Sequence, residues 1–339
     1  MRAAILKGPG SIEVCSIPRP VPAEGELLIQ VKAALTCGTD LKAFLRGHGL
    51  IPMPGPFGHE YAGVVAEKGK GVKRFRVGDP VMGVHSAPCR DCAFCRRGLP
   101  NLCEHIMSTK VLGSFAEYIL VPGHIVEQNL FRKPENMGFD EAAFLEPLAC
   151  VVHGMEPLKL GRKDVVLVIG AGPIGLLHLL LAKAKGARVL VADIEDGRLR
   201  AAKRLGAERV FKAAQAGESV RSFTKGLGVD YVFECTGQPR VWEATAGYVR
   251  RGGTIVLFGG CRKGTTVTYD TERLHYDEIT LKGVFHFTPR DVKTAFRLLA
   301  GRKIEVKKLI TATCSLRDLP RVFARLSRGE GIKYVVLPS

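Results

Sequence analysis

The chain has 339 residues, of which 46% are hydrophobic and 24% are charged, and its formal net charge at pH 7 is +17. This length predicts two domains, each large enough to bury its own core. No apolar run approaches the roughly 20 residues that a membrane helix needs, so a membrane-spanning class is excluded. The first residues lack the apolar stretch and cleavage site of a signal peptide, and a cytoplasmic location is therefore expected.

The positive charge is concentrated in the second half of the chain. Residues 1–150 hold 17 Lys and Arg against 15 Asp and Glu, whereas residues 151–339 hold 33 against 18. A surplus of this size attracts anions. No basic block is interleaved with aromatic residues, however, so a solvated basic surface is favoured over a nucleic-acid partner.

Residues 1–152 are predicted to form a β-rich domain. Short runs of alternating or β-branched residues, such as Glu26 to Ala33 and Ala62 to Glu67, are separated by Gly and Pro. Long helical patterns are scarce before about residue 139. This part of the chain is therefore expected to contain mostly short strands.

The pattern changes after about residue 152. The apolar run Val165 to Ile169 is typical of a buried strand, and a helical run follows from Leu176 to about residue 185. Alternating short strands and helices predict an α/β domain with a parallel, doubly wound sheet in residues 153–287. Residues 288–339 form a C-terminal segment that ends in a predicted strand, Lys333 to Leu337.

Four residues spread over the first domain form a candidate metal site. The run Gly58-His59-Glu60 offers an imidazole beside a carboxylate, Cys37 lies 22 residues before His59, and Glu146 lies much further along. Thiolate, imidazole and carboxylate ligands suit Zn²⁺, and fewer than four fixed ligands would leave a position for water or substrate. Each residue alone has a more ordinary interpretation as a packed or hydrogen-bonded side chain. Asp40 strengthens the set, since a carboxylate there could orient His59.

A second candidate metal site consists of four cysteines within 15 residues, namely Cys89, Cys92, Cys95 and Cys103. In a chain without a secretion signal, such a cluster predicts metal ligands rather than disulfides. The spacing suits a tetrahedral zinc ion that is closed to water and therefore structural. Free buried thiols and an iron–sulfur cluster are the alternatives.

The motif Gly170-x-Gly172-x-x-Gly175 directly follows a predicted strand and begins a predicted helix. In that context the first glycine permits a tight turn, the second lets a pyrophosphate approach the backbone, and the third lets helix and strand pack closely. The helix N-terminus, at Pro173 and Ile174, supplies N–H groups for a phosphate. The motif predicts dinucleotide binding, with an ordinary glycine-rich turn as the alternative.

Further candidate cofactor residues follow the later strands. Asp193 ends the next strand, where a carboxylate binds ribose hydroxyls and repels a 2′-phosphate, so NAD is favoured over NADP. Arg198 and its basic neighbours keep NADP open. Thr236 and Gly259 follow two later strands at their carboxyl ends, where ligands of such sheets bind, although ordinary turns are an alternative.

The order of these motifs resembles the zinc-dependent medium-chain dehydrogenase/reductase family over essentially the whole chain. The matching segments are Val31 to Lys42, Gly58 to Val72 (with Gly63 and Gly69), the four-cysteine segment, Glu146-Pro147-Leu148 and Gly170 to Gly175. Glu146 at its position is similar to the polyol (sorbitol-type) and threonine dehydrogenase branches. The resemblance implies a GroES-like catalytic domain completed by the C-terminal segment, an inserted Rossmann domain, an active site in the cleft between them, and a homo-oligomer (a tetramer or a dimer).

The resemblance also implies roles for single residues. Cys37, His59 and Glu60 would hold a catalytic zinc ion, with Glu146 either a direct ligand or bound to the zinc water. The metal would act as a Lewis acid on the alcohol oxygen, Thr39 would pass the proton toward the cofactor ribose, and hydride would move to the nicotinamide. Together with the four-cysteine site, the resemblance implies two zinc ions per chain and NAD as the cofactor.

Two stretches depart from the family pattern. Lys42 stands where many relatives have the outer histidine of the proton relay, so the relay has Lys42, His48 or solvent as its outer part. The stretch from Cys103 to Phe115 looks shorter than in sorbitol and threonine dehydrogenases, in which it helps to shape the substrate pocket. His85, just before the four-cysteine segment, faces either the active site or solvent.

Together these features predict an NAD-dependent zinc dehydrogenase that acts on a secondary alcohol of a polyol, sugar or cyclitol. Within the class, the alternatives are a threonine-type amino-alcohol, a glucose-type sugar and a phosphorylated polyol. A non-enzymatic zinc protein that binds nucleic acid is disfavoured by the complete ligand set and by Asp193. The expected partners are a small-molecule alcohol and further copies of the chain, without nucleic acid or membrane.

Overall fold

The chain leaves its first structural unit after Cys150 and returns to it at His286. The computed structural model describes residues 1–338. Met1–Cys150 and the C-terminal segment that begins at His286 form the first unit, and Val151–Phe285 form the second. Each unit has its own core of buried apolar side chains.

The strands follow the short apolar runs between Gly and Pro. In chain order they are β1 (Arg2–Gly8), β2 (Ser11–Ser16), β3 (Leu27–Leu35), β4 (Gly55–Pro56), β5 (Glu60–Lys68), β6 (Pro80–Gly83), β7 (Tyr118–Val121), β8 (Leu130–Arg132), β9 (Val165–Ile169), β10 (Arg188–Asp193), β11 (Arg209–Lys212), β12 (Val229–Glu234), β13 (Val249–Leu257), β14 (Thr280–Gly283), β15 (Ile310–Ser315) and β16 (Lys333–Leu337).

The helices are short, and several begin at a proline in the first turn, where the missing N–H group has no cost. In chain order they are α1 (Gly38–Arg46), α2 (Ala93–Arg96), α3 (Gly123–Asn129), α4 (Phe139–Ala142), α5 (Leu145–Met155), α6 (Pro173–Ala184), α7 (Asp196–Arg204), α8 (Ala216–Thr224), α9 (Pro239–Ala244), α10 (Thr271–Tyr276), α11 (Pro289–Ala300) and α12 (Leu319–Ser327). Within residues 1–338, no helix combines the length and the apolar character that crossing a membrane requires.

Two sheets build the first unit. The larger has the order β15-β16-β3-β5-β6-β8, with β7 also paired to β3, and the smaller has the order β2-β1-β4. β3 pairs antiparallel with both β5 and β16. The last strand of the chain therefore joins the sheet whose strands lead into Cys37 and out of His59.

Aromatic packing joins the C-terminal helix to the segments around these candidate ligands. Phe323 of α12 contacts Phe44 of α1 and also Phe57, with ring centroids 5.5 and 5.2 Å apart. Phe57 packs edge-on against Phe115 at 5.3 Å. Because protein cores are close-packed, α12 restrains both α1 and the chain just before His59.

One six-stranded sheet forms the centre of the second unit. Its order is β11-β10-β9-β12-β13-β14, and every pairing is parallel. The apolar run Val165–Ile169 forms the central strand β9, as its composition predicts for a strand covered on both faces. The strand order reverses between β9 and β12, and the carboxyl ends at such a switch point are where these sheets bind ligands.

Candidate active site

Three segments of the first unit bring thiol, imidazole and carboxylate groups together. Cys37 lies between β3 and α1, His59 and Glu60 lie at the start of β5, and Glu146 lies in the first turn of α5. The nearest ligand atoms of His59, Glu60 and Glu146 lie within 4.8 Å of one another, and so do those of Cys37, Asp40 and His59. Cys37, Glu60 and Glu146 therefore lie around the imidazole of His59, the fourth predicted ligand of the catalytic zinc.

Gly58 sets the direction of the backbone at His59. Its φ is 84°, and a Cβ at this position would lie 2.5 Å from Ser114 Oγ and 2.7 Å from the ring of Phe115. Its carbonyl oxygen accepts hydrogen bonds from the backbone N–H groups of Gly113 at 2.8 Å and Ser114 at 3.1 Å. Only glycine can adopt a positive φ and also let Ser114 and Phe115 approach this closely. The structure therefore requires glycine at this position of the motif.

His59 and Asp40 form a buried pair. His59 Nδ1 lies 3.1 Å from Asp40 Oδ1, and the two side chains are 8% and 0% exposed. Burial alone would lower the pKa of His59, but the negative charges of Asp40 and Cys37 outweigh it and hold that pKa well above its usual value. Since Nδ1 faces Asp40, Nε2 is the ring atom that remains for a cation, as in carboxylate–histidine–metal triads.

Glu60 has a buried cationic partner 273 residues further along the chain. Lys333 Nζ, at the start of β16, contacts Glu60 Oε2 and donates a hydrogen bond to the carbonyl oxygen of Thr36 at 2.7 Å. Both side chains of the pair are at most 1% exposed. Glu60 Oε1 has no hydrogen-bond partner among the described residues. One carboxylate oxygen is thus held by Lys333, and the other is available to a cation.

Glu146 lies beside His85, whose Nδ1 is 3.3 Å from Glu146 Oε1. The His85 ring also packs edge-on against His59, with centroids 5.1 Å apart. Burial raises the pKa of Glu60 to about 7. Burial acts in the same direction at Glu146, but the contact with His85 and the charge of His59 outweigh it and lower the pKa to about 2. Glu146 is therefore the more acidic of the two buried carboxylates.

This set of side chains fits a zinc ion. Thiolate, imidazole and carboxylate are the ligand types that Zn²⁺ takes in proteins, and the buried Glu60 Oε1 lacks any other partner among the described residues. The Cys37 thiolate and the two glutamates would bring three negative charges to an ion of charge +2. A buried excess charge is costly, and Lys333 offsets the one that remains.

Helix α1 begins at the same place. Cys37 is its N-cap, and Cys37 Sγ accepts a hydrogen bond from the Thr39 backbone N–H at 3.4 Å. Thr39 is half-buried in the first turn of α1, two residues after Cys37. Lys42 lies three residues further on and shares a helix face with Thr39.

The second metal cluster contains all four of the predicted cysteines, Cys89, Cys92, Cys95 and Cys103. Their sulfur atoms lie within 4.8 Å of one another, and those of Cys89 and Cys95 are 4.0 Å apart. A tetrahedron with zinc–sulfur distances of about 2.3 Å places its sulfurs about 3.8 Å apart. Backbone hydrogen bonds from Cys95 and Glu104 lower the pKa of Cys92 to about 6, whereas burial raises the pKa of Cys95 to about 12 and also raises that of Cys103. A bound cation is therefore what would hold all four as thiolates. The cluster therefore fits a zinc ion held by four thiolates.

The glycine-rich turn joins β9 to α6 in the second unit. Gly170 has a φ of 95°, and a Cβ on Gly175 would lie 1.8 Å from the Gly170 carbonyl oxygen. Gly172 is the N-cap of α6, where a Cβ would meet no atom within 4 Å, and Pro173 and Ile174 begin the first turn. The third glycine thus serves packing, whereas the second leaves open space beside the helix N-terminus, which suits a pyrophosphate.

Asp193 is buried at the end of β10, against the glycine-rich turn. Its Oδ2 accepts a hydrogen bond from the Ala171 N–H at 2.6 Å, and its Oδ1 accepts one from the Glu195 N–H at 2.8 Å. Each carboxylate oxygen keeps a second lone pair, so a ribose hydroxyl can still donate to Asp193. Arg198 lies half-buried on α7, which begins at Asp196.

Thr236 and Gly259 lie on neighbouring turns after β12 and β13. Glu234 Oε1 accepts a hydrogen bond from the Thr236 N–H at 2.7 Å. A Cβ on Gly259 would lie 2.3 Å from Gly237 N, and one on Gly170 would lie 2.8 Å from Thr236 Cγ2. The turns that follow β9, β12 and β13 therefore meet at one edge of the sheet, together with the candidate cofactor residues that they carry.

The sequence alone does not identify Lys333 or Glu234 as site residues and leaves the direction of His85 open. Lys333 is one of 50 Lys and Arg residues, and its only local signal is a charge at the start of an apolar strand. His85 turns toward Glu146, and its backbone carbonyl oxygen accepts a hydrogen bond from the Val111 N–H at 2.8 Å. These contacts join positions that are far apart in the chain. The spacing of residues along the sequence does not predict such contacts.

Residues 23–134 match the alcohol dehydrogenase GroES-like domain, and residues 173–301 match the zinc-binding dehydrogenase domain. The chain is 30% identical over 338 residues to a sorbitol dehydrogenase of Halalkalibacterium halodurans, a match that covers 98% of this chain and 97% of that protein. It is 31% identical over 334 residues to D-xylulose reductase A of Aspergillus oryzae, covering 94% and 92%. A zinc-binding dehydrogenase from Sinorhizobium meliloti 1021, solved bound to NADP, has a TM-score of 0.90 at 30% identity over 99% of both chains.

A buried metal-ligand set and a doubly wound nucleotide-binding sheet within one chain are the features of a metal-dependent dehydrogenase. The chain belongs to the zinc-binding alcohol dehydrogenases, the zinc-dependent medium-chain family that its motifs resemble. The predicted fold class, a GroES-like domain with a Rossmann domain, is thereby confirmed. The protein is an oxidoreductase, as predicted.

Proposed function

We propose that this enzyme oxidises a secondary alcohol of a polyol, sugar or cyclitol and that NAD accepts the hydride. The observation that carries the proposal is that half-buried Cys37 and buried Glu60 and Glu146 lie around the buried imidazole of His59. The polyol class is supported by the names of two relatives, a sorbitol dehydrogenase and a D-xylulose reductase. We also propose that the enzyme acts in the cytoplasm, as its sequence predicts.

Each residue of the proposed centre has a defined task. Cys37, His59 and Glu60 would hold the zinc ion, and Glu146 would be either a fourth ligand or the acceptor for a water at the metal. When bound, zinc supplies Lewis acidity toward the alcohol oxygen and NAD supplies the hydride acceptor. Asp40 orients His59 and Lys333 holds Glu60. The Thr39 hydroxyl, which can both accept and donate, takes the proton of the substrate hydroxyl and passes it outward.

A panel of substrates tests the proposal. Purified enzyme is offered polyols, cyclitols, amino alcohols and aldoses with NAD or NADP, and the reduced cofactor is followed by absorbance. We expect the highest kcat/KM with a secondary alcohol of a polyol, sugar or cyclitol and with NAD. A clear preference for an amino alcohol, or no turnover of any alcohol, would contradict the proposal.

Asp193 is the proposed determinant of the cofactor. Its carboxylate lies at the end of β10 and would accept hydrogen bonds from the ribose hydroxyls, while repelling a 2′-phosphate. Asp193→Ala is expected to lower the ratio of kcat/KM for NAD to that for NADP by about 10- to 100-fold, the effect of hydrogen bonds to a charged group. Glu195→Ala, an exposed neighbour, serves as the control. An unchanged ratio in Asp193→Ala would exclude the ribose role.

We also propose that the enzyme is a homo-oligomer, either a dimer or a tetramer. Light scattering coupled to size-exclusion chromatography measures the mass of the assembly. A single species with the 36.8 kDa mass of one chain would rule out this part of the proposal.

A further inference from the structure

Four basic side chains lie near one another on segments that flank the candidate zinc ligands. We call them the cationic rim, and they are Lys42, Arg46, His48 and Lys110. Residues 1–150, which include all four, hold nearly equal numbers of basic and acidic residues, 17 against 15. The rim is therefore a local concentration of positive charge and does not simply follow from the overall charge of the chain.

Helix α1 carries one side of the rim. Thr39, Lys42 and Arg46 are spaced by three and four residues, so they share one face of the helix. The buried side of α1 carries Asp40 and Phe44 instead. Because a helix rises about 5.4 Å per turn, the shared face leads from Thr39, beside Cys37, outward past two cationic groups.

Lys110 approaches from the short stretch that follows the four cysteines. The Val111 N–H donates to the His85 carbonyl oxygen at 2.8 Å, and the Gly113 N–H donates to the Gly58 carbonyl oxygen at 2.8 Å. These bonds hold the stretch next to two chain segments that carry site residues. Lys110 is half-buried, and its Nζ donates one hydrogen bond, to the Met107 carbonyl oxygen at 2.8 Å. An ammonium group has three donors, so two remain for a ligand.

His48 lies between the two sides of the rim. Its Nδ1 accepts a hydrogen bond from the Leu50 N–H at 3.3 Å, so the neutral ring carries its proton on Nε2 and can donate there. Burial lowers the pKa of His48, and the nearby charges of the other three rim residues lower it further, while Asp40 opposes them. The other three rim residues are therefore close enough to His48 for their charges to act on it.

The rim lacks protein counterions at two of its three charged positions. Across residues 1–338, no carboxylate forms an ion pair with Arg46 or Lys110. The acidic group that acts on His48 is Asp40, which is fully buried against His59. Like charges held together raise the free energy of the folded protein, and a bound anion would remove that cost.

We propose that the cationic rim binds a phosphate group of the substrate, so that the enzyme acts on a phosphorylated polyol. This inference rests on the proposed function and narrows its substrate class. A phosphate monoester carries up to two negative charges and three acceptor oxygens, which matches several cationic donors better than the single charge of a carboxylate. The reacting hydroxyl would lie at the zinc ligands, and the phosphate one helical turn further out along α1.

The experiment compares substrates that differ only in the anion. The holoenzyme is assayed with sorbitol, sorbitol 6-phosphate and gluconate, and with xylitol and xylitol 5-phosphate. We expect kcat/KM for a phosphorylated polyol to exceed that for its neutral counterpart by about 10- to 100-fold. Equal values for the two, or a preference for gluconate, would overturn the proposal.

Charge-removing variants locate the effect. Lys42→Gln and Lys110→Gln should each lower the ratio of kcat/KM for the phosphorylated polyol to that for the neutral polyol by about 10-fold or more. Lys73→Gln is the matched control, because Lys73 is an exposed lysine of the same unit beyond the far end of β5. If Lys42→Gln lowers kcat/KM equally for both substrates, Lys42 serves the proton relay and the anion role is overturned. The anion role is also overturned if Lys73→Gln lowers the ratio as much as the two rim variants do.

A binding measurement separates this inference from the proposed function. Inorganic phosphate is titrated by calorimetry into holoenzyme saturated with NAD, which occupies the dinucleotide site. Binding that is lost in Lys42→Gln and Lys110→Gln, but kept in Lys73→Gln, supports the rim even if no polyol is oxidised. Absence of phosphate binding to the wild-type enzyme, or binding that survives in both rim variants, counts against it even if neutral polyols are good substrates.

Discussion

Glu60 and Lys333 form a buried ion pair beside the candidate zinc ligands, although 273 residues separate them. Lys333 Nζ also donates to the Thr36 carbonyl oxygen at 2.7 Å, so the cation is held from two directions. Removing one partner of a buried pair leaves an uncompensated charge, whereas removing both need not destabilise the fold. The pair is therefore open to a double-mutant test.

Lys333→Met is expected to lower the free energy of unfolding by about 3–5 kcal/mol, because Glu60 would keep its buried charge without a partner. The double variant Glu60→Gln/Lys333→Met should recover most of that loss, since both charges are then absent. Urea unfolding of the metal-free proteins gives the values, so that the loss of Glu60 as a zinc ligand does not enter the comparison. A double variant as unstable as Lys333→Met would show that the loss has another cause than the stranded carboxylate.

His178 is a second residue whose burial has a measurable consequence. It is fully buried in α6, stacked on Phe233 with ring centroids 4.4 Å apart, and neither ring nitrogen has a hydrogen-bond partner among the described residues. Burial lowers its pKa from 6.5 to about 3. Between these values the unfolded chain binds a proton that the folded chain does not, so stability is lost as the pH falls below 6.5.

His178→Leu should raise the free energy of unfolding at pH 7 by about 1–3 kcal/mol, because two buried polar atoms without partners are removed. It should also remove a pH dependence of about 1.4 kcal/mol per pH unit below pH 6.5. Denaturant unfolding of both proteins at pH 7, 6 and 5 measures the difference. His275→Leu, at an exposed position of the same unit, is the control. Parallel pH profiles for wild type and His178→Leu would refute this account.

At the scale of elements, the turn between β9 and α6 uses its glycines for different purposes. At Gly175, the Gly170 carbonyl oxygen fills the space that a Cβ would need. At Gly172, the corresponding space is open. The motif alone does not distinguish a glycine needed for packing from one needed for a ligand, because both appear as the same letter. The structure separates the two roles.

Gly175→Ala should therefore destabilise the second unit, since its Cβ would lie 1.8 Å from backbone. Gly172→Ala should leave stability within about 1 kcal/mol of wild type, the usual range for Gly→Ala where the backbone permits it, while weakening NAD binding. Thermal unfolding without cofactor and fluorescence titration with NADH give the two quantities. Normal cofactor affinity in Gly172→Ala would contradict the pyrophosphate role of this glycine.

The limits of sequence reasoning also show at this scale. Helix α6 and strands β9 and β10 were predictable because their apolar residues are contiguous or periodic. Helix α7 begins at Asp196, where an acidic residue in the first turn is favourable. Neither the pairing of β16 with β3 nor its register could be predicted from the sequence. The reason is that packing in the folded protein determines which distant strands become neighbours.

At the scale of the whole molecule, the chain contains two separate groups of candidate metal ligands. Each has the donor chemistry of zinc, but only the group around His59 contains a carboxylate oxygen that lacks a hydrogen-bond partner among the described residues. The four-thiolate cluster is closed and suits a structural ion. We therefore expect the two ions to be lost independently.

Elemental analysis of the purified protein is expected to find about two zinc ions per chain, one for each ligand set. Cys37→Ala should retain about one ion and a folded structure but lose turnover, whereas Cys95→Ala should lose the other ion and unfold at a lower temperature. Zinc content and thermal unfolding are measured on the same samples. Turnover that persists in Cys37→Ala would exclude its catalytic role, and full zinc content in Cys95→Ala would exclude the four-thiolate site.

The sequence by itself determined the family, the two kinds of domain and the candidate ligands, because local motifs carry them. The cysteines from Cys89 to Cys103, the glycines from Gly170 to Gly175 and the His59-Glu60 pair each lie within a few residues, and local spacing limits what such groups can do. Only the tertiary structure decided that Lys333 balances Glu60, that His85 turns toward Glu146, and that Lys110 joins Lys42 around His48. The physical reason is that burial and charge act through space, between groups that the chain brings together only when it folds.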